Sequence, residues 1–451
     1  MREEEKKRLV ELGPEALADA LLELSERGDL AGSVVERLSS TKVENLKRVR
    51  SRIAGQMRAR KFVDWRGAAA LAEQLREILS DMDAADPDPM TGVELMCKFY
   101  RCDDPVFGRC DDSSGIVGDV FEYPARDLFV RYASACEDKS RVGDVLLELC
   151  LPAQWHARSV LIDSASRFLP EDEMRRLADV LLECWEREPP ESRIDSNECF
   201  LIMSIARQLG DAPLFERIVT ATWPDVHGSA CLDIARVYLE SGDPETALSW
   251  IERFPPREFY RARERDELLL SVLERLGDRE GLEKTAWRLF RRERSAGALD
   301  KLLIVIGAGE RQRVIEQETS LISESDRFSY SDALFLVEAG RPDAAEDYLL
   351  SHAGSIDGHV YPALLPIAKG LEEAGRPLGA SVVFRALLES ILSRAQSKYY
   401  HHGVRYLKKL DRLAPGVACW SGIASHEEYK EQLLAAHGRK RSFWSRYEGG
   451  C

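Results

Sequence analysis

Leu232, Ile234, Ala235 and Tyr238 fall on one face of a helical wheel, and Ala247, Leu248 and Ile251, one short turn later, fall on another. Together they make one helix–turn–helix unit, Cys231 to Phe254, broken at Gly242. The same punctuation recurs: Gly210, Gly242, Gly277, Gly309, Gly340 and Gly375 are separated by 32, 35, 32, 31 and 35 residues. Four residues before these glycines stand Ala206, Tyr238, Leu273, Val305, Leu336 and Leu371. Five residues after them stand Phe215, Ala247, Leu282, Val314, Ala345 and Ala380. A helix ending at the glycine turns the first set inward, and a second helix starting just past it turns the other set against the first. Glycine suits the break because the residue that closes a helix often needs a positive φ. Asp243-Pro244, Arg341-Pro342 and Arg376-Pro377 add start signals for the second helix. A period of 31 to 35 residues is that of a helical-repeat array.

Ahead of the array the pattern is also helical. Leu17, Leu21 and Leu24 form a stripe over residues 12–26, and the basic stretch 42–61 reads as a second helix. Asp64 stands where a cap would precede a helix carrying Leu71, Leu75, Ile78 and Leu79. Further helices are predicted over 91–101, over Val117–Cys136 and, as a pair, over Arg141–Arg187. Glu188-Pro189-Pro190-Glu191-Ser192 reads as a hinge. The predicted organisation is an N-terminal helical domain over 1–188, the array over 194–414, and a C-terminal helix with a basic–aromatic tail over 415–451. Runs with strand alternation are scarce, so the fold class is all-α. Period and flanks resemble tetratricopeptide repeats, which implies a superhelical array. No unit combines that family's Trp, Gly-Tyr pair and closing Pro.

Composition narrows the functional classes. Of 451 residues, 44% are apolar and 31% charged, enough apolar surface for a long core in a water-soluble chain. The start, Met1 to Lys7, is charged and leads into no apolar region, and no apolar run approaches a membrane span. The ten cysteines contain no C-x-x-C pair and read as small buried thiols in a reducing cytosol, so a cytoplasmic location is expected. A net charge of −15 opposes general affinity for nucleic acid. The cations nevertheless cluster, in segments 42–61 and 394–446.

Five phrases carry a family resemblance: Leu12-Gly13-Pro14-Glu15-Ala16-Leu17-Ala18, Phe62-Val63-Asp64-Trp65, Asp111-Asp112-Ser113-Ser114-Gly115-Ile116-Val117-Gly118-Asp119-Val120-Phe121, Arg405-Tyr406-Leu407-Lys408-Lys409-Leu410-Asp411 and His437-Gly438-Arg439-Lys440-Arg441-Ser442-Phe443-Trp444. In this order they resemble the bacterial family filed as domain of unknown function 6880. The resemblance implies a bacterial cytoplasmic helical-repeat protein and brings no known activity.

Candidate chemistry is sparse. Asp111, Asp112, Ser113, Ser114 and Asp119 surround two glycines, so the loop is a candidate for a hard cation or an anion. Ser and Asp ahead of a helix serve equally as caps, and no EF-hand spacing is present. Cys97, Cys102 and Cys110 have the wrong spacing for zinc, and no metal or other cofactor is expected. His401 and His402 point about 100° apart on a helix, so they do not share a metal. Tyr399, Tyr406, Leu410 and Leu413 are expected to pack inward from that helix, leaving Arg405, Lys408 and Lys409 for an acidic contact. Trp65 and Trp444 read as packing anchors. No nucleophile elbow, Walker loop, H-E-x-x-H or dinucleotide fingerprint occurs.

These features point to a non-enzymatic cytoplasmic scaffold that binds a protein or peptide partner. The contact residues expected are Arg405, Lys408 and Lys409, with Arg439, Lys440 and Arg441. Two alternatives stand beside it. One is nucleic-acid association through 42–61 and 394–446, and the other is metal-dependent activity at the Asp111–Asp119 loop.

Overall fold

In the computed structural model, residues 10–11, 13–25, 35, 39–152, 156–193, 196–223, 228–255 and 260–449 are described. Among them the elements are helices; the one extended contact is a parallel bridge between Val63 and Cys110. The chain divides into two compact units, Met1–Arg257 and Glu258–Cys451.

In the first unit the longer helices are α1 (Pro14–Ser25), α2 (Lys42–Arg58), α3 (Ala68–Ala85), α4 (Pro89–Tyr100), α5 (Arg126–Ala135), α6 (Lys139–Cys150), α7 (Glu171–Arg187), α8 (Asn197–Leu209), α9 (Ala212–Thr222), α10 (Gly228–Ser241) and α11 (Pro244–Glu252). Local sequence starts them. Thr41 and Glu44 form a reciprocal capping box on α2, and Asp88, Asp138 and Ser196 cap α4, α6 and α8. The helix predicted over Val117–Cys136 is not uniform. A short turn, Gly118–Val120, opens into a wider π-type turn, Phe121–Ala125, before α5. Pro124 sits in that turn and has no N–H to bond the carbonyl four residues back, so the ladder slips.

The core of this unit runs without interruption through the hinge expected at residues 188–192. Leu181 and Trp185 from α7 belong to the same buried cluster as Cys199, Ile202 and Ile205 from α8. The apolar stripe of α7 packs on α8 as well as on α6 before it, so the predicted boundary between 188 and 194 does not divide the core. Trp65 is not an anchor: it is 59% exposed, with the Arg66 guanidinium 5.1 Å from its ring centre.

The second unit contains α12 (Ala262–Leu276), α13 (Arg279–Glu293), α14 (Ala296–Ile306), α15 (Arg311–Ser323), α16 (Tyr330–Glu338), α17 (Pro342–Ser351), α18 (Tyr361–Glu373), α19 (Pro377–Ser393), α20 (Tyr400–Leu413), α21 (His426–His437) and α22 (Arg441–Glu448). Alternate helices stack: α16 on α18, α15 on α17 and α17 on α19. The end of the chain is not a separate tail. Tyr429, Leu433, Phe443 and Trp444 share one buried cluster with Leu388, Ile391 and Leu407.

The glycine breaks form as the spacing predicts at five positions, with φ of 66°, 91°, 72°, 73° and 69° at Gly210, Gly242, Gly277, Gly340 and Gly375. At each, the residue after the glycine donates its N–H back across the turn. The bonds are Asp211 to Ala206 (2.9 Å), Asp243 to Tyr238 (2.9 Å), Asp278 to Leu273 (3.0 Å), Arg341 to Leu336 (2.8 Å) and Arg376 to Leu371 (2.8 Å). The apolar residue four before each glycine thus points inward and also lends its carbonyl to the turn. Asp211, Asp243 and Asp278 then cap the next helix, accepting from the N–H groups of Leu214, Thr246 and Gly281.

The sixth break is at Gly307, not Gly309. Gly307 has φ 105° and closes α14, while Gly309 lies in a single 3₁₀ turn, Ala308–Glu310. Leu303, four residues before Gly307, is buried, whereas Val305 is only half-buried. The extra turn is why Val314 still faces inward: two residues are added before α15 begins. No helix among the described residues is long and apolar enough to cross a membrane.

Candidate functional site

The best-formed candidate lies where α18, α19 and α20 meet. The loop ahead of α18 presses Gly358 onto α19 so closely that a Cβ there would stand 2.0 Å from the Ala386 carbonyl oxygen. Only glycine allows that approach. Beside it, Tyr361 and Leu365 from α18 face Leu387 and Ile391 from α19 across a recess of about 280 Å³. Ala395, with φ 55°, turns the chain from α19 into α20, and the turn brings Tyr399, His402 and Arg405 to the third side.

The recess is apolar inside and cationic at its edge. Arg394 is held by its own helix: Nε donates to the Ser390 carbonyl (3.0 Å) and Nη2 to Ser390 Oγ (3.1 Å). Arg405 Nη2 donates to His402 Nδ1 at 3.2 Å; arginine has nothing to accept with, so this nitrogen of His402 is unprotonated. Burial, together with the neighbouring His401 and Arg405, holds His402 below the usual histidine range, so its ring is neutral near pH 7. Tyr361 and Tyr399 leave ring surface exposed at the mouth. No Asp or Glu is among the described residues lining the recess.

The residues expected to bind a partner are only partly gathered here. Arg405 lines the recess. Lys409 does not: it pairs with Glu372 of α18, and its ammonium lies 4.8 Å from the Phe384 ring centre. It joins α20 to its neighbours, so a free acidic contact is the wrong role for it. Lys408 is half-buried outside the recess. Arg439 is exposed on the turn between α21 and α22, Arg441 is exposed at the start of α22, and Lys440 donates to His437 Nδ1 at 3.2 Å. Tyr399, expected inside, is at the mouth, whereas Tyr406 and Leu410 are buried as the helical pattern predicts.

The acidic loop is built as a cap. Asp112 accepts from the N–H groups of Val117 (3.0 Å) and Gly118 (2.8 Å), one on each carboxylate oxygen, and Asp111 Oδ1 accepts from Ser113 N–H at 3.2 Å. Ser113, Ser114 and Asp119 are exposed. No group of three His, Cys, Asp or Glu side chains converges as around a metal ion among the described residues. Burial pushes the Cys97 and Cys102 thiols up to about 12, which suits packing rather than ligation.

Half of the basic α2 face is spent on the neighbouring helix. Lys42 pairs with Asp86 (2.5 Å), Arg48 with Asp81 (3.8 Å), and Arg52 with Glu77 (3.2 Å) and Asp81 (3.1 Å). Arg50 and Arg58 instead join Lys98 and Arg101 around the exposed Met57.

Successive helix pairs, broken at the glycines, define an all-α repeat protein. The chain belongs to the family described as "Family of unknown function (DUF6880)", whose model matches residues 4–209 and 199–446. No curated protein matches it. A solved structure to which it is similar is the "Circular tandem repeat protein with novel repeat topology and enhanced subunit contact surfaces", at 15% identity over 96% of this chain and 92% of that one, with a TM-score of 0.14. A TM-score that low carries no argument, and the repeat architecture rests on the helices and their breaks.

Proposed function

We propose that this is a non-enzymatic, tetratricopeptide-like scaffold whose α18–α19–α20 recess receives a short acidic segment of a protein partner. The observation that supports the reading is the recess itself: arginines at its edge and an apolar interior, in a chain whose net charge is −15. In so acidic a molecule, a cationic mouth selects for the opposite sign. An apolar side chain would fill the interior while carboxylates meet Arg394 and Arg405. The proposal keeps the bacterial cytoplasmic setting expected from the sequence.

Selection from a displayed peptide library tests it. Enriched peptides should carry acids flanking an apolar residue, and the double variant Arg394→Glu/Arg405→Glu should lose them. Enrichment blind to that reversal, or none at all, would dispose of the recess as a docking site.

The nucleic-acid alternative draws support from the Arg50, Arg58, Lys98 and Arg101 cluster. It requires retention on heparin at low salt that Arg50→Glu/Arg101→Glu abolishes.

A further inference from the structure

His402 and Arg405 stand one turn apart on α20, and both line the recess between α18, α19 and α20. Arg405 Nη2 donates to His402 Nδ1 at 3.2 Å. A guanidinium has no lone pair to offer, so Nδ1 holds one, and the neutral ring carries its proton on Nε2. His401, beside it, is the other way round. Its Nδ1 lies 2.9 Å from the Lys398 carbonyl, which only accepts, so that nitrogen is protonated. The two rings lie 3.9 Å apart, centre to centre, in opposite tautomers, and of the two it is His402 that lines the recess.

A proton arriving at His402 Nδ1 cannot coexist with the hydrogen bond from Arg405. Both groups would then be donors and both cationic, so Arg405 Nη2 must turn away from the ring. The titratable and charged groups that share the recess are Arg405 and Tyr406 from α20, Arg394 from α19, Tyr399 from the turn before α20 and Tyr361 from α18; none is a carboxylate. Burial, His401 and Arg405 accordingly oppose protonation and hold His402 below the usual histidine range. A carboxylate seated beside Arg394 and Arg405 reverses that balance, because an opposite charge nearby favours the imidazolium.

We infer that the recess takes up a proton together with its acidic ligand: His402 Nδ1 receives the proton, Arg405 Nη2 is released from it, and the two become neighbouring donors to the ligand's carboxylates. This rests on the recess being a docking site for an acidic segment. A proton taken up on binding makes affinity rise as pH falls, from the pKa of the liganded histidine down to that of the free one, by at most about tenfold per pH unit. Near about pH 4 the ligand's own carboxylates protonate and the gain ends. The acidic segment is therefore held more tightly in a mildly acidic medium than in a neutral one.

Fluorescence anisotropy on the full chain tests this, with a labelled peptide that carries one leucine between pairs of glutamates and has both ends blocked. Its dissociation constant should fall by at least about threefold between about pH 7.5 and about pH 5.5. His402→Gln, which stays neutral, should lose that gain. His401→Gln should keep it, since His401 is outside the recess lining. Calorimetry near about pH 6.5, in two buffers of unlike ionisation enthalpy, should find proton uptake on binding by the parent and none by His402→Gln, a readout that a merely structural histidine would not move. Nitrogen NMR spectra of the free protein should show Nδ1 of the neutral His402 ring bare and Nε2 protonated. A peptide silent at both pH values overturns the docking site and the inference with it. Equal affinity at both, proton uptake that survives His402→Gln, or a proton on Nδ1 of the neutral ring overturns the inference alone and leaves the docking site standing.

Discussion

Tyr447 Oη donates a 2.7 Å hydrogen bond to Asp411 Oδ2, joining α22 to α20. The other oxygen, Oδ1, accepts from His426 Nε2 (2.8 Å) and Lys430 Nζ (3.2 Å), both on α21. One carboxylate therefore ties three helices. Burial raises its pKa, but hydrogen bonds from His426, Tyr447 and Lys430 prevail and hold it below the ordinary aspartate range. Tyr447→Phe should cost about 1 kcal/mol, the net worth of one partly exposed hydrogen bond to a charged group. The depressed folded pKa also sets a sign. The contribution is fully present above the unfolded aspartate value and is lost as pH falls through the lower folded value. Melting temperature followed from pH 7 downward should show a steeper acid decline in the parent than in Asp411→Asn. Parallel curves would deny Asp411 this role.

Gly307 and Gly309 make opposite predictions. Gly307 sits at φ 105° and ψ 138°, a region closed to residues with a Cβ, whereas Gly309 has an ordinary φ and open space around it. Gly307→Ala should destabilise by about 1–3 kcal/mol. Gly309→Ala should be neutral or slightly stabilising, because it restricts the unfolded chain. Denaturant midpoints of the two variants check the assignment, and equal losses would return the break to Gly309.

That pair also shows what the sequence can reveal. Five of the six glycine breaks are legible because one residue type meets a steric requirement that no other residue meets as cheaply. Gly307-Ala308-Gly309 is not, since either glycine can close α14 and only the burial of Leu303 over Val305 decides. The candidate sites are less legible than the fold. Arg405 and Lys409 look alike in a basic helix, yet only the position of Glu372, thirty-seven residues away, removes Lys409 from the surface contacts.

Asp112 should matter for stability without any dependence on metal. Its two oxygens satisfy N–H groups at the start of the turn that leads into α5. Asp112→Ala should cost about 1 kcal/mol, the usual worth of such a cap, and Asp112→Asn less, since one amide oxygen still accepts. Added calcium or magnesium should leave the parent's melting temperature where it was. A rise with either ion that Asp112→Ala abolishes would restore the loop as a cation site.

Glu318 is a charge buried inside the second unit. It is wholly buried, with Oε1 accepting from Arg291 and Oε2 from Arg294, each at 2.9 Å. Arg294 reaches on to Asp332 at 3.0 Å and does so from a left-handed backbone, φ 36°, at the end of α13. The ion pairs hold that arginine in a conformation it would otherwise leave. Arg291 is 43% and Arg294 19% exposed, so water can take up part of what each loses, and Glu318→Gln should cost about 1–3 kcal/mol. The surface pair Arg313–Glu310 is the control: both side chains are well solvated, and Glu310→Ala should change stability by no more than about 0.5 kcal/mol. Urea unfolding of the two variants, compared at an unchanged slope, measures both values. If Glu318→Gln proves as mild as Glu310→Ala, water reaches that carboxylate and it does not hold Arg294 in place.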